Sequence, residues 1–248
     1  MYRYEDIRTI HLEVTQNCQA ACPMCDRNCN GEGVNPHIKL DELTLKDCEK
    51  IFSPKFIRQL NTMYMCGNLG DPIVARDTLE IFRYFRKHNS QMWLSMNTNA
   101  GARDETWWAN LAEIFGRMGS VIFSVDGLSD TNHLYRQGVV WDNVERSMDA
   151  FIEAGGRARW DFLIFEHNQH QVEEAKALSE QKGFEKFTAK KTGRFITNDS
   201  KKKESHQAVD KKGKETTELK KPDVKYQNKA IQKQDVIIKK YGSMDSYY

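Results

Sequence analysis

Apolar and polar positions along the chain switch between two rhythms. Short runs with strand character lie at residues 9–15, 62–66, 92–97, 121–125, 158–165 and 186–190. Helix-period segments fill the gaps, near 44–58, 75–88, 104–117, 142–154 and 170–182. Thr44 followed by Asp47 reads as an N-terminal capping pair, and Gly155 and Gly183 stand where helices commonly end. Strands alternating with helices predict right-handed βαβ units and a parallel sheet. The fold class is α/β, and the spacing suits an open, partial (β/α)6 barrel better than a closed eight-unit one. In such folds the reactive loops follow the C-terminal ends of the strands.

After residue 195 the rhythm fades. Residues 201–240 hold 13 Lys against 6 Asp and Glu, a local net of +7 in a chain whose formal charge is only +2. Large apolar residues are sparse there, so little buried surface offsets the entropy of ordering the segment. The domain reading is therefore a barrel over 1–195 and a Lys-rich linker or mobile tail over 196–248, or a remnant of a C-terminal domain. Interspersed acids dilute the basic field and argue against a nucleic-acid arm.

The 248 residues are 39% hydrophobic and 29% charged, enough for one sizeable core on a polar molecule. No apolar run approaches the roughly 18 residues of a membrane span, and the N-terminus lacks the pattern of a secretory signal. These features point to a cytoplasmic chain with reduced thiols. All six cysteines, Cys18, Cys22, Cys25, Cys29, Cys48 and Cys66, lie in the first 66 residues. Clustering of this kind in a reduced compartment points to metal rather than to disulfides.

The loop after the first strand carries Cys18, Cys22 and Cys25 at C-x3-C-x2-C, a soft donor set suited to an iron–sulfur cluster or zinc. Three thiolates on a four-iron cluster leave one iron open. Cys29 as a fourth ligand would close the site and favour a non-enzymatic iron–sulfur or zinc protein. Cys29, Cys48 and Cys66 read as packing residues or free thiols. The second strand is followed by Gly67-Asn68-Leu69-Gly70-Asp71-Pro72, where glycines admit a close ligand and an acid can meet an ammonium group. The third ends in Asn97-Thr98-Asn99 and the fourth in Ser124-Val125-Asp126, uncharged and acidic hydrogen-bonding groups suited to ribose hydroxyls or a carboxylate. On an extended strand Asn97 and Asn99 share a face, as do Ser124 and Asp126. The fifth strand ends with Leu163-Ile164-Phe165 and leads into Glu166-His167-Asn168-Gln169-His170. His167 and His170 are candidate catalytic or proton-relay groups, and Asn168 is a candidate helix cap. The sixth strand ends Lys190-Lys191-Thr192-Gly193-Arg194, cations that could meet an anionic substrate.

With the C-x3-C-x2-C loop after a first strand and these later strand ends, the chain resembles the radical S-adenosylmethionine (SAM) superfamily over about residues 8–192. The resemblance implies a [4Fe–4S] cluster on Cys18, Cys22 and Cys25 whose open iron chelates SAM. Reductive cleavage of SAM would then give a 5′-deoxyadenosyl radical that takes hydrogen from a substrate. It further implies SAM contacts at Met24, Gly67, Gly70, Asp71, Asn97, Asn99, Ser124, Asp126, Leu163 and Asn168, and a one-electron reductant such as flavodoxin or ferredoxin. Asp71 departs from the Glu usual in the family's Gly-Gly-Glu-Pro segment. Tyr135-Arg136-Gln137-Gly138 and Asn143-Val144-Glu145-Arg146 are similar to members that modify peptides, the branch carrying a SPASM or Twitch domain, and an Arg on that helix is expected to reach the SAM carboxylate. No cysteine follows Cys66, so the second cysteine-rich segment of that branch is missing here. A peptide or protein substrate is the favoured expectation. A small-molecule or nucleotide substrate is the alternative.

Overall fold

The computed structural model describes residues 3–28, 33–196, 204–210 and 212–243. The first unit runs from β1 (Thr9–Leu12) through α1 (Leu45–Ile51) and α2 (Pro54–Gln59) to β2 (Thr62–Met65). Then follow α3 (Thr78–His88), β3 (Trp93–Thr98), α4 (Glu105–Phe115), β4 (Gly119–Ser124), α5 (Asn132–Tyr135), α6 (Trp141–Glu153), β5 (Ala158–Ile164), α7 (Val172–Lys182) and β6 (Lys186–Lys191). The six strands pair in sequence order and are all parallel, as the alternation of elements predicts. The result is a partial (β/α)6 barrel.

Local chemistry explains most boundaries. Thr44 and Asp47 make the reciprocal capping box at α1, each side chain accepting the other residue's backbone N–H at 3.3 and 3.0 Å. Gly183, at φ 86°, ends α7 in the left-handed conformation that glycine adopts without strain. The single helix expected over 44–58 is instead two helices. Ser53 caps the backbone N–H of Phe56 and Pro54 takes the first position of α2, so the proline that starts one helix stops the other.

Along β2 and β3 every second residue is buried and its neighbour is half-exposed. Met63, Met65, Leu94 and Met96 face the helices, together with Phe82, Phe85, Trp108, Phe115 and Phe151. Each such side chain contributes about 1.5–3 kcal/mol on burial. Tyr64, Ser95 and Asn97 occupy the opposite face and remain half-exposed, so the strands form a wall with a dry side and an accessible side.

The Lys-rich region differs from the linker expected there. It forms an antiparallel hairpin, β7 (Ser205–Val209) with β8 (Glu215–Lys220), and then α8 (Lys229–Tyr241). Ala208, Leu219, Ile231 and Ile237 are buried, and Lys221 bridges Glu204 and Asp235 at 3.0 Å each. The segment also bonds to the barrel: Glu166 donates its backbone N–H to the carbonyl of Lys220, and Asp223 donates its own to Gln169. A few apolar residues at the right spacing, with hydrogen bonds to the barrel, order a stretch whose average composition is polar. Among the described residues no helix is long and apolar enough to cross a membrane.

Candidate functional site

The ligand loop follows β1, and neighbouring segments hold it on several sides. Ala21 donates its backbone N–H to the carbonyl of Gln137 at 2.8 Å, and Asp71 donates its own to Asn17 at 2.9 Å. Buried Arg27 donates to the carbonyl of Gln16 at 2.9 Å, which braces the loop from within. Cys18, Cys22 and Cys25 thereby line one wall of a cavity of about 360 Å³. Across it stand Cys66, Gly67, Asn68, Gly70 and Asp71 from the loop after β2, with Asn97, Thr98, Asn99, Ser124 and Arg136. Four successive strand-end loops therefore meet at one place.

The two glycines of the second loop are there for close approach. A side-chain carbon on Gly67 would overlap the carbonyl of Gly70, and one on Gly70 would overlap the carbonyl of Thr15. Asp71, beside them, is 5% exposed. Its carboxylate accepts the backbone N–H of Asn99 at 2.8 Å, that of Ile73 at 3.1 Å and the Thr98 hydroxyl at 3.1 Å. Burial nevertheless pushes it up to about 6, since desolvation outweighs these bonds. The acid expected to meet an ammonium group is largely occupied in tying two loops together.

Asn99 packs against the ligand loop. Its amide donates to the sulfur of Cys18 at 3.6 Å and its carbonyl accepts from Gln19 at 2.5 Å. Asn97 and Ser124 line the cavity as expected, whereas Asp126 lines neither this cavity nor the adjoining one. Asp126 is 1% exposed: Oδ2 accepts from Arg136 at 2.7 Å and Oδ1 from the backbone N–H of Leu163 at 2.6 Å. Asn168 is likewise used internally, accepting from Phe165 N and donating to the carbonyls of Asp126 and Leu163. It clasps the ends of β4 and β5, and its side chain makes no cap on the helix that follows.

A second cavity of about 560 Å³ adjoins the first, sharing Cys25, Asp26, Asn28 and Arg194. Met24 and Leu163 line it, with Thr192, Gly193 and His206. The cations at and beyond the end of β6 part company here. Lys190 pairs with Asp161, and Lys191 donates to the carbonyl of Lys225 at 2.6 Å. Arg194 alone of the three borders both cavities. The two candidate histidines lie outside these linings. His167 stacks on Phe165, ring centroids 5.4 Å apart, with neither ring nitrogen hydrogen-bonded, and burial lowers it to about 4. His170 is exposed.

Cys66, expected to be a packing residue, is half-exposed and borders the first cavity; Cys48 is buried in α1 as expected. Cys29 lies outside the described residues. Sequence reasoning also missed Arg27, whose signal was an arginine two residues past the last ligand.

The donor set fits a [4Fe–4S] cluster. Among the described residues no three His, Cys, Asp or Glu side chains are close enough to share one metal ion. Cys18, Cys22 and Cys25 instead border one cavity, and three thiolates are soft ligands of the kind that iron–sulfur clusters take. Burial pushes Cys18 up to about 12, with Asp71 adding to the rise, and raises Cys22, against which Arg136 is the largest opposing influence. Both are thiols at neutral pH without metal, so cluster binding must displace their protons.

The chain matches the family model described as Radical SAM superfamily over residues 12–178. No curated protein matches it. Among solved structures it is similar to Streptococcus suis SuiB bound to the precursor peptide SuiA, at TM-score 0.58 and 16% identity, covering 74% of this chain and 39% of that one. Native anSMEcpe with bound AdoMet matches at TM-score 0.57 and 18% identity, covering 73% and 50%. Methylornithine synthase (PylB) matches at TM-score 0.51 and 12% identity, covering 73% and 52%. At these identities the likeness is one of fold, and the chain spans half or less of SuiB and anSMEcpe.

Proposed function

The chain belongs to the radical SAM superfamily, an enzyme family that uses a [4Fe–4S] cluster and SAM, and from that premise we propose that it cleaves SAM reductively to take a hydrogen atom from a peptide or protein substrate. The observation that carries this reading is the convergence of Cys18, Cys22 and Cys25 with four strand-end loops on one cavity. When bound, cluster and SAM supply a sulfonium cleaved by one electron and a 5′-deoxyadenosyl radical.

The residues around the cavity divide the remaining work. Cys18, Cys22 and Cys25 hold the cluster. Gly67 and Gly70 border the cavity, their backbones packed on each other and on Thr15, and Asn97 and Ser124 offer donors and acceptors to the polar groups of SAM. Arg136, 20% exposed in its side chain, presents a cation to the SAM carboxylate. Met24 and Leu163 give the second cavity an apolar wall suited to adenine. Asp71 acts through the loops it joins. Walls of this kind hold the reacting atoms and exclude water, which protects a radical from side reactions.

A peptide substrate is supported by the Tyr135-Arg136-Gln137-Gly138 pattern and by fold likeness to SuiB, crystallised with its precursor peptide. Arg194, which borders both cavities and makes no side-chain hydrogen bond or ion pair among the described residues, favours a second reading in which the substrate is a small anion or nucleotide. The electron donor is a flavodoxin or ferredoxin, and the setting a reducing cytoplasm. The test is 5′-deoxyadenosine formation from SAM under a one-electron reductant, with a peptide pool or a small-metabolite pool added. Stimulation by peptides alone supports the first reading and stimulation by metabolites alone the second. No 5′-deoxyadenosine from a cluster-replete protein contradicts both.

A further inference from the structure

Arg136 stands in an unusual position for a charged side chain. Its Nη1 donates to the sulfur of Cys22 at 3.9 Å while its Nε donates to Asp126 Oδ2 at 2.7 Å. Among the described residues it is the one cation hydrogen-bonded to a ligand sulfur. The donor to Cys18 is the neutral amide of Asn99, and the guanidinium of Arg27 is committed to Gln16 and Asn28.

The pair cannot easily move. Asp126 Oδ1 is held by Leu163 N, its backbone N–H donates to Asn132 Oδ1 at 2.9 Å, and its carbonyl accepts from Asn168 at 2.8 Å. The backbone N–H of Arg136 donates to Asn132 at 2.8 Å, and the next residue, Gln137, accepts from Ala21 inside the ligand loop. One short segment thus fixes both the cation and the loop that carries Cys22.

We infer that Arg136 raises the reduction potential of the cluster that Cys22 holds, with Asp126 as the positioning residue that aims it. The inference rests on the radical SAM reading, which supplies the cluster. An arginine stays protonated, so its charge is permanent. Reduction adds an electron to a cluster that is already anionic with its thiolates, and a cation hydrogen-bonded to one thiolate stabilises that state more than the oxidised one. In a buried site the effect is strengthened because little water screens it. Asp126 opposes part of it, but its carboxylate bonds Nε of Arg136 while Nη1 bonds the sulfur, so the cation stands in direct contact and the anion does not.

The experiment is an EPR-monitored redox titration of the anaerobically reconstituted full chain, without SAM or substrate, so activity plays no part in the readout. Arg136→Gln should shift the midpoint to a more negative value. Arg136→Lys, which keeps the charge, should lie nearer the wild type. Arg136→Gln leaves the Asp126 charge buried alone and is the variant most exposed to misfolding. The double variant Asp126→Asn/Arg136→Gln removes both charges and should fall between Arg136→Gln and the wild type. A wild-type midpoint in either iron-replete glutamine variant, or a shift of Arg136→Lys equal to that of Arg136→Gln, overturns the inference. A wild-type chain that assembles no iron–sulfur cluster overturns the radical SAM reading itself, an outcome visible before any variant is made.

Discussion

The carboxylate of Asp71 accepts the backbone N–H of Asn99 at 2.8 Å, and Asn99 in turn donates to the sulfur of Cys18. A contact between residues far apart in sequence thus joins the loops after β2 and β3 to the cysteine loop after β1. Asp71→Ala leaves buried donors on Asn99 and Thr98 unpaired, which costs about 1–3 kcal/mol. Urea unfolding should show that loss, and SAM affinity should fall with it because the walls of the cavity shift. Asp71→Ala with wild-type stability and weakened SAM binding would instead make Asp71 a direct SAM contact.

Iron content should sort the cysteines. Alanine at position 18, 22 or 25 should abolish the cluster, whereas alanine at 29, 48 or 66 should leave it intact. Position 66 is the sharpest of these, since Cys66 borders the same cavity as Cys18, Cys22 and Cys25. Loss of iron in Cys66→Ala or Cys29→Ala as complete as in Cys22→Ala would overturn the ligand assignment.

At Gly70 a methyl group has nowhere to go, because backbone atoms of Thr15 and Asn17 occupy its place. Gly70→Ala should destabilise the protein by more than about 2 kcal/mol and lower cluster occupancy. Calorimetry and iron assay read both, and a fully stable, iron-replete Gly70→Ala would mean that the loop relaxes freely.

His167 gives the fold a dependence on pH. Burial holds it at about 4, below the ordinary 6.5, with His170 and His133 adding to the effect. Above pH 6.5 the imidazole is neutral folded or unfolded and contributes no pH dependence. As pH falls from 6.5 toward 4 the unfolded chain takes up the proton first, so stability drops by up to about 3 kcal/mol. His167→Phe, which preserves the stack on Phe165, should flatten that decline in urea titrations at pH 7 and pH 5. Parallel declines in both proteins would assign the effect to other groups.

Features set by near neighbours were legible from the sequence. The Thr44–Asp47 box, the ends at Gly155 and Gly183, the six strands and the three-cysteine loop all depend on residues a few positions apart. What escaped depends on distance. The internal bonds of Asp71, Asp126 and Asn168 run to partners 28, 37 and 42 positions away, so none of them is visible within its own loop. The hairpin and α8 escaped because their buried residues are diluted among lysines, and their order depends on bonds to the barrel. The break at Pro54 lies inside an apolar period that continues on either side of it, which is why the period alone predicts one helix there.

The proposed function requires that Cys18, Cys22 and Cys25 hold a cluster with an iron open to SAM. EPR of the dithionite-reduced, reconstituted protein with and without SAM tests it most directly. About four iron per chain and a spectrum that changes when SAM is added are expected. A reduced spectrum that SAM leaves unaltered, or stoichiometric zinc in place of iron, contradicts it.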